Sequence, residues 1–289
     1  MSGSNLVCIV TGASAGIGRE TARGMAERGY SVVVVGRDPA RTEAAAAYVR
    51  AYARGLPVRA ELCDFSSLAE VRRLARVLAG SLPRIDVLIN NAGLWHKTRQ
   101  VSRDGIEDTL AVNHLAPFLL TNLLLPKLCA MQHARVVTVS SRLQEKLRYL
   151  DFSDLQSTRN YQGLAVYAKS KLANVMFSRE LAERLAGTGV TSNAVHPGDV
   201  VSDILRERPL LRFFGRLATP FVDTPATASL TPLYVATAPE LASVSGAYFR
   251  DQRPATPSPL CEDRQARARL WKLSAELVGL DDHLIPEAA

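Results

Sequence analysis

Short strand-like runs recur along the chain at residues 6–10, 31–35, 58–62, 85–89, 135–139 and 190–195. Those at 6–10, 31–35 and 85–89 are dominated by Val, Ile or Leu, the pattern of a strand buried in a sheet. Between them lie segments with apolar positions at helical spacing: 16–28, 38–54, 66–79, 106–130 and a run from Tyr167 to about 186. Gly29 closes the first of these, and Ser66 is placed to cap the third. Strand and helix alternate without repeats, linkers or low-complexity stretches. The pattern predicts one α/β domain over 1–289, doubly wound around a mostly parallel sheet with helices on both faces. Residues 247–250 supply a further strand, for about seven in all. Residues 142–165 are polar and irregular, and 265–278 read as an amphipathic helix within a C-terminal helical tail at about 260–289.

Composition narrows the partners. The 289 residues are 47% hydrophobic, enough for a sizeable core, and carry a net charge of +7. The basic residues form no consecutive block, and aromatics, 6% of the chain, are not interleaved with them, so nucleic acid is not an expected partner. Cys8, Cys63, Cys129 and Cys261 lie far apart and make no metal-type pair. Cys8 and Cys63 adjoin strand-like runs and read as buried, reduced thiols, which predicts a reducing, cytoplasmic setting. No signal peptide is visible. The longest apolar stretch, 117–126, contains Thr121 and Asn122 and is short for a bilayer, so no transmembrane anchor is expected.

The chemistry-bearing residues gather where strands end, which is where ligands bind such sheets. After the first run come Gly12, Gly16 and Gly18, with Ser14 between them, and then a helix. Strand, glycine-rich turn, helix and strand form a unit of the dinucleotide-binding kind, with a pyrophosphate at the helix N-terminus. A tight turn without ligand has the same residues. At the end of the second run an acid would hold a ribose 2′-hydroxyl; Gly36 and Arg37 stand there instead. A guanidinium without a carboxylate favours a 2′-phosphate, hence NADP over NAD, unless Arg37 is only a surface cation. Asp64 ends the third run, as an adenine contact or a helix cap. Asn90, Ala92 and Gly93 end the fourth, beside the ribose, although Asn90 is also placed to brace the sheet. Asn113 lies mid-helix, and Pro117 has no N–H to offer its carbonyl. That predicts a kink and a free carbonyl able to hold a water. Ser140 and Ser141 end the fifth run, and alternation along a strand turns only one of them to the cleft. Neither sits in a Gly-x-Ser-x-Gly elbow. Tyr167 and Lys171, one helical turn apart, share a face. An ammonium near a phenol lowers its pKa and suits it to move a proton; alone, the spacing also fits an ordinary surface helix. His196, before Pro197 and Gly198, reads as a packed histidine.

Taken together, these motifs resemble the short-chain dehydrogenase/reductase family over residues 6 to about 250. The resemblance rests on Thr11-Gly12-x-x-x-Gly16-Ile17-Gly18, Asn90-Asn91-Ala92-Gly93, Asn113, Ser140-Ser141, Tyr167-x-x-x-Lys171 and Pro197-Gly198. Within the family the chain is most similar to the NADP-using retinol dehydrogenase branch. The stretches that carry this are Val112-Asn113-His114-Leu115, Ser170-Lys171-Leu172-Ala173-Asn174-Val175, Ala194-Val195-His196-Pro197-Gly198 and Leu270-Trp271-Lys272-Leu273-Ser274. The resemblance implies a Rossmann-type fold, NADP(H), and a catalytic set of Asn113, Ser141, Tyr167 and Lys171. It also implies Ser202 at the nicotinamide carboxamide, Ile17 beside the diphosphate, and homodimers or homotetramers through the long helices near Asn113 and Tyr167. The chain is expected to depart from the branch in having no N-terminal hydrophobic anchor, in Pro117, in a 142–166 segment about one residue longer, and in the loop 94–97.

Residues 199–223 carry Leu205, Leu210, Leu211, Phe213, Phe214, Leu217 and Phe221 among arginines. In the family this region forms a substrate lid, and an apolar lid predicts a hydrophobic substrate. Packing on the body and contact with a membrane surface are the alternatives. Trp95 and His96 are candidates for the opposite wall. The expected activity is that of an NADP(H)-dependent carbonyl reductase or alcohol dehydrogenase. The rival expectations are a non-catalytic NADP-sensing or scaffold protein on the same fold, and a sugar-nucleotide epimerase on a related one.

Overall fold

The computed structural model describes residues 5–199 and 223–281. One sheet organises them, in the order β3-β2-β1-β4-β5-β6-β7-β8. Its strands are β1 (Val7–Thr11), β2 (Ser31–Gly36), β3 (Val58–Leu62), β4 (Val87–Asn90), β5 (Arg135–Val139), β6 (Thr191–His196), β7 (Tyr248–Arg250) and β8 (Arg253–Pro254). All pairings are parallel except β7 with β8. The chain winds outward from β1 to β3, then returns to place β4 on the other side of β1. That reversal opens a crevice at the carboxyl ends of β1 and β4.

Period-two alternation sends the β1 side chains to two cores. Val7 and Ile9 join Val33, Val35, Leu74, Leu115 and Trp271 on one face. There the sheet is covered by α3 (Leu68–Ser81), α4 (Asp108–Cys129), α5 (Gly163–Arg184) and α7 (Arg264–Val278). Cys8 and Val10 join Met25, Val32, Val49 and Leu233 on the other. That side is covered by α1 (Gly16–Glu27), α2 (Pro39–Arg50) and α6 (Leu230–Thr237), the last preceded by a helical turn, Pro225–Ala228. The doubly wound, mostly parallel sheet agrees with the sequence pattern. The pattern did not reveal β8 or the 225–237 helices, where Pro225 and Pro232 interrupt the periodicity. Both prolines fall in first turns, where a missing N–H is no loss.

Local details correct other expectations. Helix α3 is capped by Ser67, whose hydroxyl accepts from Glu70 N at 3.4 Å, and not by Ser66. Just before Pro117, where a kink was expected, α4 contains a π turn, Ala111–Leu115, in which Ala116 N reaches Ala111 O five residues back. The helical run Asp108–Cys129 is longer than its apolar stretch, and by length and composition it could cross a membrane; 89% of its most apolar window is buried inside the fold. It is a core helix here. All four cysteines are free thiols, and burial pushes Cys63 and Cys261 up to about 12, far from thiolates.

Helix α7 lies across α4 and α5. Trp271 meets Phe118 edge-on at 4.8 Å and stacks on Phe177 at 5.9 Å, while the Arg184 guanidinium covers the indole at 4.2 Å. The buried Arg267 pairs with Glu183 and donates to Cys261 O at 2.8 Å. Arg72 of α3 donates to Val278 O and Gly279 O, closing the far end. One face of α4 and α5 is thus covered by the chain's own C-terminal helix.

Candidate active site

The turn after β1 is shaped for a ligand. Gly12 has φ +63°, and a Cβ there would fall 2.7 Å from Ala92 Cα, so only glycine lets the two loops touch. Gly16 has φ +57°, with open space where a side chain would go. Helix α1 starts there. Helices α2, α3 and α7 are capped by Asp38, Ser67 and Asp263, but the α1 N-cap is Ala15, with no side-chain hydrogen bond and no acid in its first turn. Its N–H groups remain for an anion. Ser14 and Ile17, both half-buried, line this turn, and Gly18 is packed beneath it against Asn91.

Two residues that the sequence reading did not assign hold the turn. The Thr11 hydroxyl accepts from Asn91 N and Ala92 N, each at 3.0 Å. The Asn91 amide donates to Thr11 O at 2.8 Å and Gly12 O at 3.2 Å. These bonds splice the ends of β1 and β4 together. Their signal was present, since both flank assigned residues, but neither type demands a role in such a place. Asn90 turns the other way: its amide donates to Thr121 of α4 at 2.9 Å, and the side chain is buried. Its side chain braces the sheet rather than facing the crevice.

Arg37 stands at the end of β2, exposed and without an ion-pair or hydrogen-bond partner among the described residues. Gly36 is required by packing, because a Cβ would meet Thr42 Oγ1 at 2.3 Å. Asp64 caps no helix. Its Oδ1 accepts from Ser66 N at 3.1 Å and Ser66 Oγ at 2.8 Å, a local turn.

Asn113, Ser141, Tyr167 and Lys171 come together at the ends of β4 and β5. Asn113 sits within the π turn, a distortion frequent at functional sites. Its Oδ1 accepts from Leu94 N at 2.7 Å, and its Nδ2 donates to Leu94 O at 2.9 Å and Ser170 Oγ at 3.0 Å. The loop after β4 is thereby fixed to α4 and α5. Gly93 lies over the pair, since a Cβ there would be 3.2 Å from Lys171 Nζ and 3.3 Å from Asn113 Oδ1. The two serines divide as alternation requires. Ser140 is buried and donates to Lys171 O at 2.7 Å, while Ser141 hydrogen-bonds the Tyr167 side chain.

Lys171 is 3% exposed and donates to Val139 O at 3.1 Å. Burial draws its pKa down to about 8. Its ammonium lies 5.6 Å from the centre of the Tyr167 ring. The phenol is not lowered, contrary to the expectation from helical spacing. Burial pushes it up to about 12, with the Ser141 hydrogen bond as the opposing influence. Desolvation of the phenolate outweighs the ammonium at this separation.

Around this centre, His196 is buried, its Nε2 3.7 Å from Asp199 Oδ1, and burial lowers its pKa. Pro197 is buried and Gly198 follows it; Asp199 and Asp223 then exchange hydrogen bonds, Asp199 N to Asp223 Oδ2 at 2.8 Å and Asp223 N to Asp199 O at 3.0 Å. Ser202 and the segment 200–222, which includes the expected lid side chains, lie outside the described residues, as do residues 282–289 of the tail. His96 Nε2 is 2.7 Å from Asp108 Oδ2, and its carbonyl accepts from Tyr161. The Trp95 indole N–H is buried beside Gly163 without a partner among the described residues. Leu143, two residues after Ser141, and Leu164, three before Tyr167 on the same helical face, are 40% and 53% exposed.

Comparison with known proteins gives a consistent picture. The family model described as short chain dehydrogenase matches residues 6–210. Human retinol dehydrogenase 12 is 42% identical over 274 residues, covering 95% of this chain and 86% of its own length. A crystal structure of an uncharacterised protein from Mycobacterium paratuberculosis superposes with a TM-score of 0.75 at 31% identity, covering 96% of this chain and 94% of the other. A short chain dehydrogenase from Burkholderia cenocepacia, solved in complex with NADP, superposes with a TM-score of 0.68 at 25% identity, over 84% of this chain and 95% of the other.

Proposed function

The chain belongs to the short-chain dehydrogenase/reductase family, in the branch of its retinol dehydrogenase relatives, and from that premise we propose that it interconverts a carbonyl and an alcohol on a hydrophobic small molecule with NADP(H). It is an oxidoreductase of that family. The observation that carries the reading is the meeting of Ser141, Tyr167 and Lys171 beside the turn whose helix N-terminus is left uncapped.

The residues present fit NADP(H). Gly12 and Gly16 leave room at the α1 N-terminus for the diphosphate, with Ser14, Ile17 and Gly18 around it. Arg37, exposed and unpaired among the described residues, is the group for the 2′-phosphate. In this reading Asp64 meets the adenine, the Asn90 main chain with Ala92 and Gly93 the ribose side, and Pro197, Gly198 and Ser202 the nicotinamide side. When bound, NADP(H) supplies or accepts a hydride at the carbonyl carbon. Tyr167 gives its proton to the carbonyl oxygen in reduction and takes it back in oxidation. Ser141 donates a hydrogen bond to the same oxygen and orients it. Lys171 holds the ribose and brings positive charge to the developing phenolate, which offsets the burial that keeps Tyr167 protonated. Asn113 orders the loop above them, and its carbonyl, denied a Pro117 N–H, holds a proton-relay water.

The exposed Leu143 and Leu164 beside Ser141 and Tyr167 support an apolar substrate. The free cysteines support a reducing, cytoplasmic compartment. Because α7 covers part of the α4 and α5 surface, homodimers or homotetramers would form through other faces. The test is NADPH oxidation over a panel of aliphatic, aromatic, steroid, retinoid and polyketide carbonyls. Turnover of apolar members and indifference to polar ones is the expected result. NADPH binding with no turnover of any carbonyl would replace this reading with a sensor or scaffold.

A further inference from the structure

The carbonyl of Val139, at the end of β5, accepts two side chains from α5. Lys171 Nζ and Asn174 Nδ2 each donate to it at 3.1 Å. A carbonyl oxygen has two acceptor directions. Asn174 fills one, which leaves the ammonium a single place. Behind Asn174 the line of contacts continues. Its Oδ1 faces His114 Nδ1 at 3.4 Å, long for a hydrogen bond, and His114 Nε2 lies 2.9 Å from Ser274 Oγ on α7. Lys171, Asn174, His114 and Ser274 are all 3% exposed or less.

Donor and acceptor roles along this line follow from one end. Val139 O can only accept, so the Asn174 NH₂ points to it and Oδ1 points to His114. Oδ1 can only accept, so His114 carries its proton on Nδ1. Nε2 is then an acceptor, and the Ser274 hydroxyl is its donor, sharing one proton with Leu270 O at 2.8 Å. Burial holds His114 down to about 4, so the neutral ring keeps this tautomer near neutral pH.

We propose that Asn174 is a positioning residue for Lys171, confining the ammonium to one side of the Val139 carbonyl, and that His114 and Ser274 hold Asn174 in that orientation from the C-terminal helix. Lys171 is left with two N–H groups for the crevice under Gly93. That these serve the cofactor ribose rests on the oxidoreductase reading above; the geometry of the line does not. Among the described residues burial is the one influence on the Lys171 ammonium, and its titratable neighbour on the same helix is Tyr167.

Lysine titration measures the effect without turnover. The chain has only Lys97, Lys127, Lys146, Lys169, Lys171 and Lys272, so ¹³Cε-labelled lysine gives few NMR signals, and Lys171→Met identifies the one required. Asn174→Leu removes an N–H whose positive end abuts the ammonium and gives Lys171 sole use of the carbonyl. Its titration midpoint is expected to rise by about 0.5 or more, and NADPH to bind about fivefold more weakly. A folded Asn174→Leu with a wild-type midpoint overturns the proposal. His114→Leu, which leaves Asn174 without its donor, is expected to move the midpoint in the same direction, while His114→Gln, which keeps an N–H, restores it. Equal midpoints in those two variants overturn the relay through α7, and they decide the matter if Asn174→Leu does not fold. Loss of carbonyl turnover across all substrates would defeat the oxidoreductase reading and leave these midpoints unaffected.

Discussion

Acid should weaken this fold through His114. The ring is 1% exposed and is drawn down to about 4 from an ordinary 6.5, first by burial, with the Asn174 contact pulling weakly the other way. A depressed histidine makes the unfolded chain bind the proton first. Its share of stability is therefore intact above pH 6.5, falls as pH drops below that, and levels off near pH 4. At about 1.4 kcal/mol for each pH step, the interval amounts to roughly 3 kcal/mol, a large fraction of a typical domain's stability. Carboxylates also titrate in this window, so the measurement is a difference. Urea unfolding of the wild type and of His114→Gln, at several points from pH 7 to pH 4, isolates the imidazole. The variant starts less stable and should lose ground more slowly, the gap closing by about 3 kcal/mol toward pH 4. Parallel pH profiles would mean that the ring ionises freely in the folded protein, and the account of a neutral buried histidine would fail.

Tyr167→Phe should still bind NADPH, read by fluorescence, while turnover falls by about 10³-fold or more, since only the transferable proton is lost. Arg37→Asp should raise the Michaelis constant for NADPH far more than that for NADH; if both stay as they were, Arg37 does not bind the 2′-phosphate. Trp271→Ala empties the centre of the Phe118, Phe177 and Arg184 contacts, and is expected to remove about 3–5 kcal/mol of stability in chemical denaturation. A loss below about 1 kcal/mol would show that α7 is only loosely seated.

Much of the fold could be read from local pattern. β2 and β5 fall on the runs at 31–35 and 135–139, because a buried parallel strand needs a short, nearly continuous apolar run and little else. What the sequence hid was non-local. Pro225 and Pro232 look like breaks until the helices they open are seen. Pro117 predicts a lost hydrogen bond, but the π turn at Ala111–Leu115 depends on what packs around Asn113. Alternation says that one of Ser140 and Ser141 faces the crevice, and it takes the Ser140 bond to Lys171 O to say which. The sign of the Tyr167 shift was misjudged because helical spacing shows the ammonium's direction and not the desolvation of both groups. Asn174 and His114 lay in plain view within recognised stretches. Their bearing on Lys171 passes through a main-chain carbonyl, which leaves no trace in side-chain spacing.

A ribosome delivers these parts in a fixed order. The glycine turn, the ends of β4 and β5, and α5 have all emerged while Ser274 is still to come, 160 residues after His114. The nascent chain therefore carries the residues of its nucleotide site before the helix that completes their support. The frame around its lysine stays open at one end until α7 leaves the exit tunnel and closes over α4 and α5. Completion of the core is thus among the last events of synthesis, and a chain cut short before α7 would be expected to lose the Trp271 packing and to hold NADPH poorly.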